Sequence, residues 1–121
     1  MDNYKNLIEE KVSGERLFDG IVVHLERDEV RLPNGNMGVR EVIRHVGAVC
    51  VIPVFENGEV LVERQFRYPH AKVLLEIPAG KLDSKEEDPL DAAKRELYEE
   101  TGYTADKMTS LGLLYTTPAF V

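Results

Sequence analysis

One helix, marked at both ends by residues with strong positional preferences, constrains the fold of this chain more than any other feature. Asp88 is a good N-cap, and Pro89 suits the first helical position. Gly102 suits the left-handed conformation in which many helices end. We therefore predict a helix over about residues 89–101. Four residues at helical spacing predict that one side of this helix is buried, and they are Leu90, Ala93, Leu97 and Thr101.

Three glutamates share another face of the same helix. Glu96, Glu99 and Glu100 have the spacing i, i+3, i+4, which places their carboxylates on one side. Like charges at this spacing destabilise a helix by a few tenths of a kcal/mol per pair, roughly, so we expect compensation. Arg95 lies one turn before Glu99 and can neutralise part of the cluster. The remainder is a natural site for one or more Mg²⁺ or Mn²⁺ ions, whose oxygen ligands could also include a backbone carbonyl of the loop at Ala79-Gly80.

The net charge is concentrated around this helix. The chain has 121 residues, with 15 Lys and Arg against 22 Asp and Glu, which gives a net charge of −7. Residues 81–100 hold eight acids and four bases, a balance of −4. A solvated helix face and a cation site both explain this cluster, since a hard metal relieves the repulsion between carboxylates. An acidic chain without a basic stripe binds a phosphate backbone poorly, so we expect no nucleic-acid partner.

Residue usage indicates a cytoplasmic protein with a packed core. The chain is 43% hydrophobic and 31% charged. No apolar run approaches the roughly 20 residues of a membrane-spanning helix, and the first residues lack the apolar core of a signal peptide. We therefore expect neither membrane contact nor export. Cys50 is the only cysteine, which excludes an internal disulfide and a Cys-rich zinc site. It lies in an apolar run, so we predict a buried, unreactive thiol.

Residues 1–46 are predicted to form an antiparallel arm. We expect a short helix over residues 3–11 that Gly14 ends. Alternation of apolar and polar residues predicts two strands in Leu17–Leu32, one on either side of Asp28. Pro33–Gly35 predicts a turn, which a strand over Val39–Val46 follows.

A central sheet is predicted to follow the arm. The run Gly47–Phe55 is almost wholly apolar, as is typical of a strand buried on both faces. Glu56–Gly58 predicts a turn, after which Val60–Arg67 should pair with that run. We predict one more strand, over Met108–Thr116, after the helix.

The helix and its flanking residues resemble the signature of the Nudix hydrolases, G-x5-E-x7-R-E-U-x-E-E-x-G-U, in which U is a bulky apolar residue. From Glu87 onward every fixed position matches, through Arg95-Glu96 and Glu99-Glu100 to Gly102-Tyr103. Six residues separate Gly80 from Glu87, where the pattern has five. Glu86 has the right distance from Gly80 but lies one residue too far from Arg95. We interpret this as a one-residue insertion, which leaves open whether Glu86 or Glu87 takes the role of the first glutamate.

The resemblance implies a fold and a chemistry. The fold is α/β: an α/β/α sandwich around a mixed sheet. The resemblance makes Glu96, Glu99, Glu100 and the Ala79 carbonyl the ligands of Mg²⁺, or of Mn²⁺. Such ions relieve the charge that shields a diphosphate from attack, orient a water molecule and lower its pKa. Arg95 and either Glu86 or Glu87 would organise these ligands.

Three further segments resemble the ADP-ribose pyrophosphatases of this family: VREVIRHVGAVCVIPV, ERQFRYP and LEIPAGKLD. The resemblance implies a homodimer with exchanged N-terminal arms, in which Arg40 and Glu41 contact the adenosine or ribose. Arg67 would bind the diphosphate, as guanidinium groups suit phosphate oxygens. The expected reaction converts ADP-ribose and water to AMP and ribose 5-phosphate. The alternatives are a diphosphatase for another nucleoside diphosphate sugar and a sensor that binds ADP-ribose without hydrolysis.

The length is short for the fold that the resemblance implies. That fold has further strands, a loop and a second helix after the Nudix helix, whereas 19 residues follow Gly102. In several ADP-ribose pyrophosphatases the general base is a glutamate of that later loop, and no acid follows Asp106. We therefore expect an arm over residues 1–46 and a Nudix domain over 47–121 that is incomplete at its C-terminus. Either the chain is a fragment of a longer protein, or a partner chain fills the gap.

Overall fold

The computed structural model describes residues 4–121, and their contacts divide them into two units. One unit comprises the described residues up to His45 together with Gly112–Val121, and the other comprises Val46–Leu111. The boundary expected after residue 46 stays a prediction. No helix among the described residues has the length and apolar character to span a membrane.

The first unit is built on a three-stranded antiparallel sheet. Its strands are β1 (Glu10–Asp19), β2 (His24–Arg31) and β3 (Met37–Arg44), in the order β1-β2-β3. The turn predicted at Pro33–Gly35 is confirmed, because the Gly35 N–H donates to the Leu32 carbonyl at 2.8 Å and Gly35 has a φ of 86°. The predicted antiparallel pairing of this segment is confirmed as well.

Two predictions for the start of this unit are wrong. Residues 5–7 form a single 3-10 turn in place of the predicted helix, whose first residue, Asn3, lies outside the described residues. Strand β1 then runs straight through Gly14. The break between the first two strands falls at residues 20–23, where Ile21 is 99% exposed, and β2 continues through Asp28. The apolar residues 21–23, which the sequence pattern assigned to a strand, therefore lie in a loop.

Asp28 is tolerated inside a strand because its charge is neutralised there. It is 4% exposed, and its carboxylate accepts a hydrogen bond from Arg44 Nη2 at 2.8 Å. Lys11 Nζ lies 2.7 Å from the other oxygen, without the alignment of a hydrogen bond. Gly14 is opposite, and a Cβ at that position would overlap the Asp28 carboxylate. Two cations and a missing side chain thus override the usual avoidance of strands by aspartate.

Glu26 is the centre of a second charged group on this sheet and predicts a pH dependence. Its carboxylate accepts hydrogen bonds from Arg44 and Arg16, both at 2.9 Å, which lower its pKa from 4.5 to about 2. A carboxyl group with a lowered folded-state pKa stabilises the fold above its unfolded pKa and loses that effect as pH falls. We expect the thermal unfolding midpoint to drop as pH falls from 4.5 toward 2, and to drop less in Glu26→Gln. Glu29→Gln is the matched control, since within residues 4–121 the Glu29 carboxylate accepts only from the Ser13 hydroxyl, and it should keep the wild-type slope. Equal slopes in wild type and Glu26→Gln would contradict the assignment.

The second unit contains the remaining strands and the helix. Strand β4 (Ala48–Cys50) pairs antiparallel with β7 (Ala79–Lys81), and β5 (Glu63–Arg67) pairs antiparallel with β6 (Lys72–Glu76). Helix α1 (Pro89–Thr101) packs on β4 and β7. The buried apolar residues of this unit are Pro78 and, in the helix, Ala92, Ala93 and Leu97, and Glu96 is buried with them.

The structure confirms the bounds predicted for helix α1, residues 89–101. The Asp88 carboxylate accepts hydrogen bonds from the backbone N–H groups of Leu90 and Asp91 at 2.9 and 3.2 Å. Gly102 ends the helix with a φ of 74°. The predicted buried stripe is partly wrong, because Leu90 is 47% exposed and Glu96 is buried in its place. The packed face is therefore rotated toward the acidic side of the helix.

Three predictions for the sheet of this unit are corrected. Only Ala48–Cys50 of the long apolar run forms a strand, and Cys50 is exposed. Helix α1 covers one face of β4, so that Val49 is half-buried while its two neighbours are exposed. The turn at Glu56–Gly58 is confirmed. Beyond it the predicted pairing is limited to one bridge, between Val54 and Val60, which is flanked by hydrogen bonds from the Phe55 N–H to the Glu59 carbonyl at 2.9 Å and from the Leu61 N–H to the Pro53 carbonyl at 3.0 Å. Strand β5 itself pairs with β6. Met108–Thr116 forms no strand, and Leu111, Leu113, Leu114 and Tyr115 stay exposed.

Candidate functional site

Arg95 of α1 is the cation around which the acidic residues of the second unit are arranged. Its guanidinium donates to Glu87 from Nε and Nη2 at 3.0 and 3.1 Å, and to Glu96 from Nη1 at 2.7 Å. Nη1 also donates to Glu99 at 3.3 Å, and Nη2 donates to the Lys81 carbonyl at 3.2 Å. These carboxylates raise the pKa of Arg95, so its charge is permanent. The compensating charge expected on the glutamate face is present.

The structure distinguishes Glu86 from Glu87. Both carboxylate oxygens of Glu87 accept from Arg95, and one also accepts from the backbone N–H of Asp83 at 2.6 Å. These bonds lower the pKa of Glu87, so that it stays ionised. The backbone N–H of Glu86 donates to the Ser84 hydroxyl, and its carboxylate makes no contact with Arg95 in the described chain. The extra loop residue is therefore accommodated before Glu87.

A pair of isosteric variants tests this distinction. Glu87→Gln removes the charge that holds Arg95, and we expect the rate of the hydrolysis predicted from the sequence to fall roughly tenfold or more. Glu86→Gln removes the same charge one residue earlier and is expected to keep the wild-type rate. The measurements are the rate at which each variant releases AMP from ADP-ribose and the thermal unfolding midpoint of each variant. A larger loss in Glu86→Gln than in Glu87→Gln would reverse the assignment.

Glu96 and Glu100 both contact the backbone at the start of β7. Glu96 is 9% exposed, and its carboxyl group lies where a Cβ of residue 80 would be, which only a glycine permits. Glu100 accepts a hydrogen bond from the Ala79 N–H at 3.0 Å. Because the two glutamates are one turn apart, their carboxylates reach adjacent residues of the same strand. The structure thus brings Glu96 and Glu100 to the backbone of Ala79 and Gly80, where the contact of Glu100 is with the Ala79 N–H. The role of the Ala79 carbonyl as a metal ligand stays a prediction.

The donor set at this strand suits a hard divalent cation. Burial raises the pKa of Glu100, and the negative charges of Glu63 and Glu96 add to the effect. A cation would relieve this excess negative charge, and carboxylate and carbonyl oxygens are the ligands that Mg²⁺ prefers. Among the described residues no three acidic, histidine or cysteine side chains converge as a complete metal site, because Glu99 lies with Arg95. The role of Glu99 as a ligand stays a prediction.

Arg67 is held by a partner that the sequence analysis missed. Its Nε donates to both oxygens of Glu76 at 2.9 and 3.2 Å, and its Nη2 donates to one of them at 2.6 Å. Each group shifts the other, so that the pKa of Arg67 is raised and that of Glu76 is lowered. Side chains alternate between the two faces of a strand, so one face of the β5–β6 hairpin carries Glu63, Arg67 and Glu76. Reading β5 and β6 as one hairpin would have placed Glu76 on the face of Arg67.

The two residues expected at the adenosine end lie in the other unit. Arg40 and Glu41 are consecutive in β3, so their side chains point to opposite faces of the sheet. Arg40 donates to both oxygens of Glu9 from Nε and Nη2. This pair joins the segment before β1 to β3. The predicted contacts of Arg40 and Glu41 with a substrate remain predictions.

Comparisons of the sequence with known proteins find a matching domain model and several similar proteins. The NUDIX domain model matches residues 44–120. An ADP-ribose pyrophosphatase of Bacillus subtilis (strain 168) is 46% identical over 116 residues, which cover 96% of this chain and 62% of that protein. A methanol dehydrogenase activator of Bacillus methanolicus is 47% identical over 115 residues, or 94% of this chain and 62% of that protein. The chain therefore spans less than two thirds of the length of these relatives.

A solved structure shares the fold. The crystal structure of an ADP compounds hydrolase superposes with a TM-score of 0.79 at 24% identity, and the match covers 93% of this chain and 60% of that one. This similarity and the domain match confirm the predicted α/β fold. Since the domain model matches more than half of the residues, from 44 to 120, the chain belongs to the Nudix domain family.

Proposed function

We propose that this protein hydrolyses the diphosphate of ADP-ribose, or of a related ADP-sugar, to AMP and the sugar phosphate in the presence of Mg²⁺. One observation carries the proposal: the carboxylates of Glu96 and Glu100 meet the backbone of Ala79 and Gly80, while Arg95 fixes Glu96. A freely solvated acidic face would leave Glu96 in water, whereas this residue is 9% exposed and is fixed between Arg95 and the backbone of Gly80. The similarity to an ADP-ribose pyrophosphatase supports the choice of substrate.

The proposed mechanism assigns one task to each group. Glu96, Glu100 and the Ala79 carbonyl hold the metal, with Glu99 as a further ligand. When bound, Mg²⁺ would neutralise the negative charge that shields the diphosphate from attack and would lower the pKa of a water molecule. Arg95 orients Glu96 through the hydrogen bond from Nη1, and Glu87 in turn orients the guanidinium of Arg95.

The rest of the chain binds the substrate in this proposal. Arg67 donates to the diphosphate oxygens, and Arg40 and Glu41 contact the adenosine or ribose. We place the enzyme in the cytoplasm as a homodimer with exchanged N-terminal arms. Light scattering during size-exclusion chromatography tests the dimer, and a mass equal to one chain at micromolar concentration would contradict it.

A substrate panel tests the activity. The full-length protein is incubated with ADP-ribose, GDP-mannose or NADH, with Mg²⁺ or with EDTA, and nucleotide monophosphates are separated by chromatography. We expect AMP from ADP-ribose with Mg²⁺ and none with EDTA. A preference for GDP-mannose would point to another nucleoside diphosphate sugar as substrate. Tight binding of ADP-ribose without turnover of any compound would instead identify a sensor.

A further inference from the structure

The pairing of Arg67 with Glu76 leaves one edge of the guanidinium unused. Glu76 occupies the edge formed by Nε and one N–H of Nη2. A guanidinium carries five N–H donors in a plane, so Nη1 and the second N–H of Nη2 form another edge that fits an oxyanion. Within residues 4–121, Nη1 of Arg67 makes no hydrogen bond. The group is anchored on one side and available on the other.

The anchor also sets where the guanidinium lies. In the β5–β6 register Arg67 is opposite Lys72, whereas Glu76 is opposite Glu63, four residues farther along the hairpin. The Arg67 side chain therefore extends along the face toward the end of β6. Three residues beyond Glu76 is Ala79, whose N–H binds Glu100. In agreement, the charge of Glu100 contributes to the raised pKa of Arg67.

We propose that Glu76 is a positioning residue, which holds Arg67 along the hairpin so that the free edge of its guanidinium faces the diphosphate of the substrate. This inference rests on the proposed function. The charge of Glu76 also opposes phosphate binding, but Arg67 and Glu76 are both partly exposed, and water screens this repulsion. The loss of freedom of a long side chain is not screened. Fixing Arg67 in advance therefore outweighs the repulsion.

The first measurement needs no substrate. The NMR order parameter of the Arg67 Nε–H group is compared between the wild type and Glu76→Gln in the full-length protein. We expect a restrained group in the wild type and a mobile one in the variant. The control is Glu59→Gln, which removes a carboxylate of the same unit. In the part of the chain that the structure describes, this carboxylate accepts only from the Asn57 side chain, so the variant should leave Arg67 restrained. A mobile Arg67 in the wild type, or no change in Glu76→Gln, would overturn the proposal.

The second measurement tests the link to the diphosphate. The affinity for a methylene-bridged analogue of ADP-ribose, which resists hydrolysis, is measured by calorimetry for Glu76→Gln, Arg67→Ala and the double variant. We expect Glu76→Gln to weaken binding roughly three- to tenfold, the effect of immobilising one flexible side chain. In the Arg67→Ala background the same change should have less than about a twofold effect, since Glu76 acts through Arg67. Equal losses in both backgrounds would indicate a merely structural role and overturn the proposal.

The two measurements separate this inference from the proposed function. If the wild type neither hydrolyses ADP-ribose nor binds the analogue, the proposed function fails, and the NMR comparison alone decides whether Glu76 fixes Arg67. If the wild type hydrolyses ADP-ribose and Glu76→Gln binds the analogue as tightly as wild type, the proposed function stands and the positioning role is wrong. Unfolding midpoints of all variants establish that each remains folded.

Discussion

Replacing Glu100 by glutamine is expected to remove metal-dependent hydrolysis while leaving the fold intact. The loss of one negative ligand from a metal that stabilises developing charge corresponds to about 3 kcal/mol, or on the order of 100-fold in rate. The free energy of unfolding should stay within about 0.5 kcal/mol of wild type. The glutamine oxygen can still accept from the Ala79 N–H. Burial and neighbouring carboxylates raise the pKa of Glu100, so its negative charge is unfavourable in the fold and the neutral glutamine removes it.

Asp91→Asn is the matched control for Glu100→Gln. Asp91 is an exposed carboxylate of the same helix, and among the described residues its side chain pairs only with Lys94, at 3.9 Å. The control should keep both the rate and the Mg²⁺ dependence of wild type. Rates at several Mg²⁺ concentrations and chemical unfolding curves are the measurements. A Glu100→Gln variant that unfolds easily but retains its rate per folded molecule would mean that Glu100 is structural and not a ligand.

Helix α1 could be predicted because its signals are local. Asp88 binds N–H groups two and three residues away, and Gly102 adopts its left-handed conformation without any distant partner. The i, i+3, i+4 spacing likewise fixes which glutamates share a face before anything is packed on them. The choice between Glu86 and Glu87 is different in kind. It depends on how the loop after β7 returns to Arg95, which spacing alone left open.

The strands could be predicted less well because their partners are distant in sequence. Asp28 predicts a break in a strand, yet Arg44 and Lys11, 16 and 17 residues away, make its burial acceptable. Cys50 lies in an apolar run that predicts burial, but helix α1 covers only the other face of its short strand. The Glu76 partner of Arg67 was missed for the same reason, since it becomes visible only when β5 is paired with β6.

Gly80→Ala is the second variant for which we expect a large effect, and it tests the contact between β7 and Glu96. The added methyl group would overlap the Glu96 carboxyl group, which is held by the hydrogen bond from Arg95 at 2.7 Å. Gly80 has no positive φ, so the effect is steric and not a matter of backbone strain. We expect destabilisation of about 1–3 kcal/mol from overpacking. The displaced carboxylate should lower the rate roughly 100-fold, as a shift of about 1 Å in a catalytic group does.

A double-mutant cycle identifies the cause of this destabilisation. If the clash with Glu96 is responsible, Gly80→Ala should cost little additional stability in a Glu96→Ala background, where the added methyl group has space. Gly38→Ala is the control for placing alanine in a strand, because its methyl group would meet the ends of two flexible side chains, Leu32 at 3.3 Å and Arg40 at 3.5 Å. Urea unfolding of the four proteins of the cycle gives the coupling free energy. Additive losses would show that residue 80 acts on the sheet alone, and Glu96 would then not be fixed against β7 as the metal site requires.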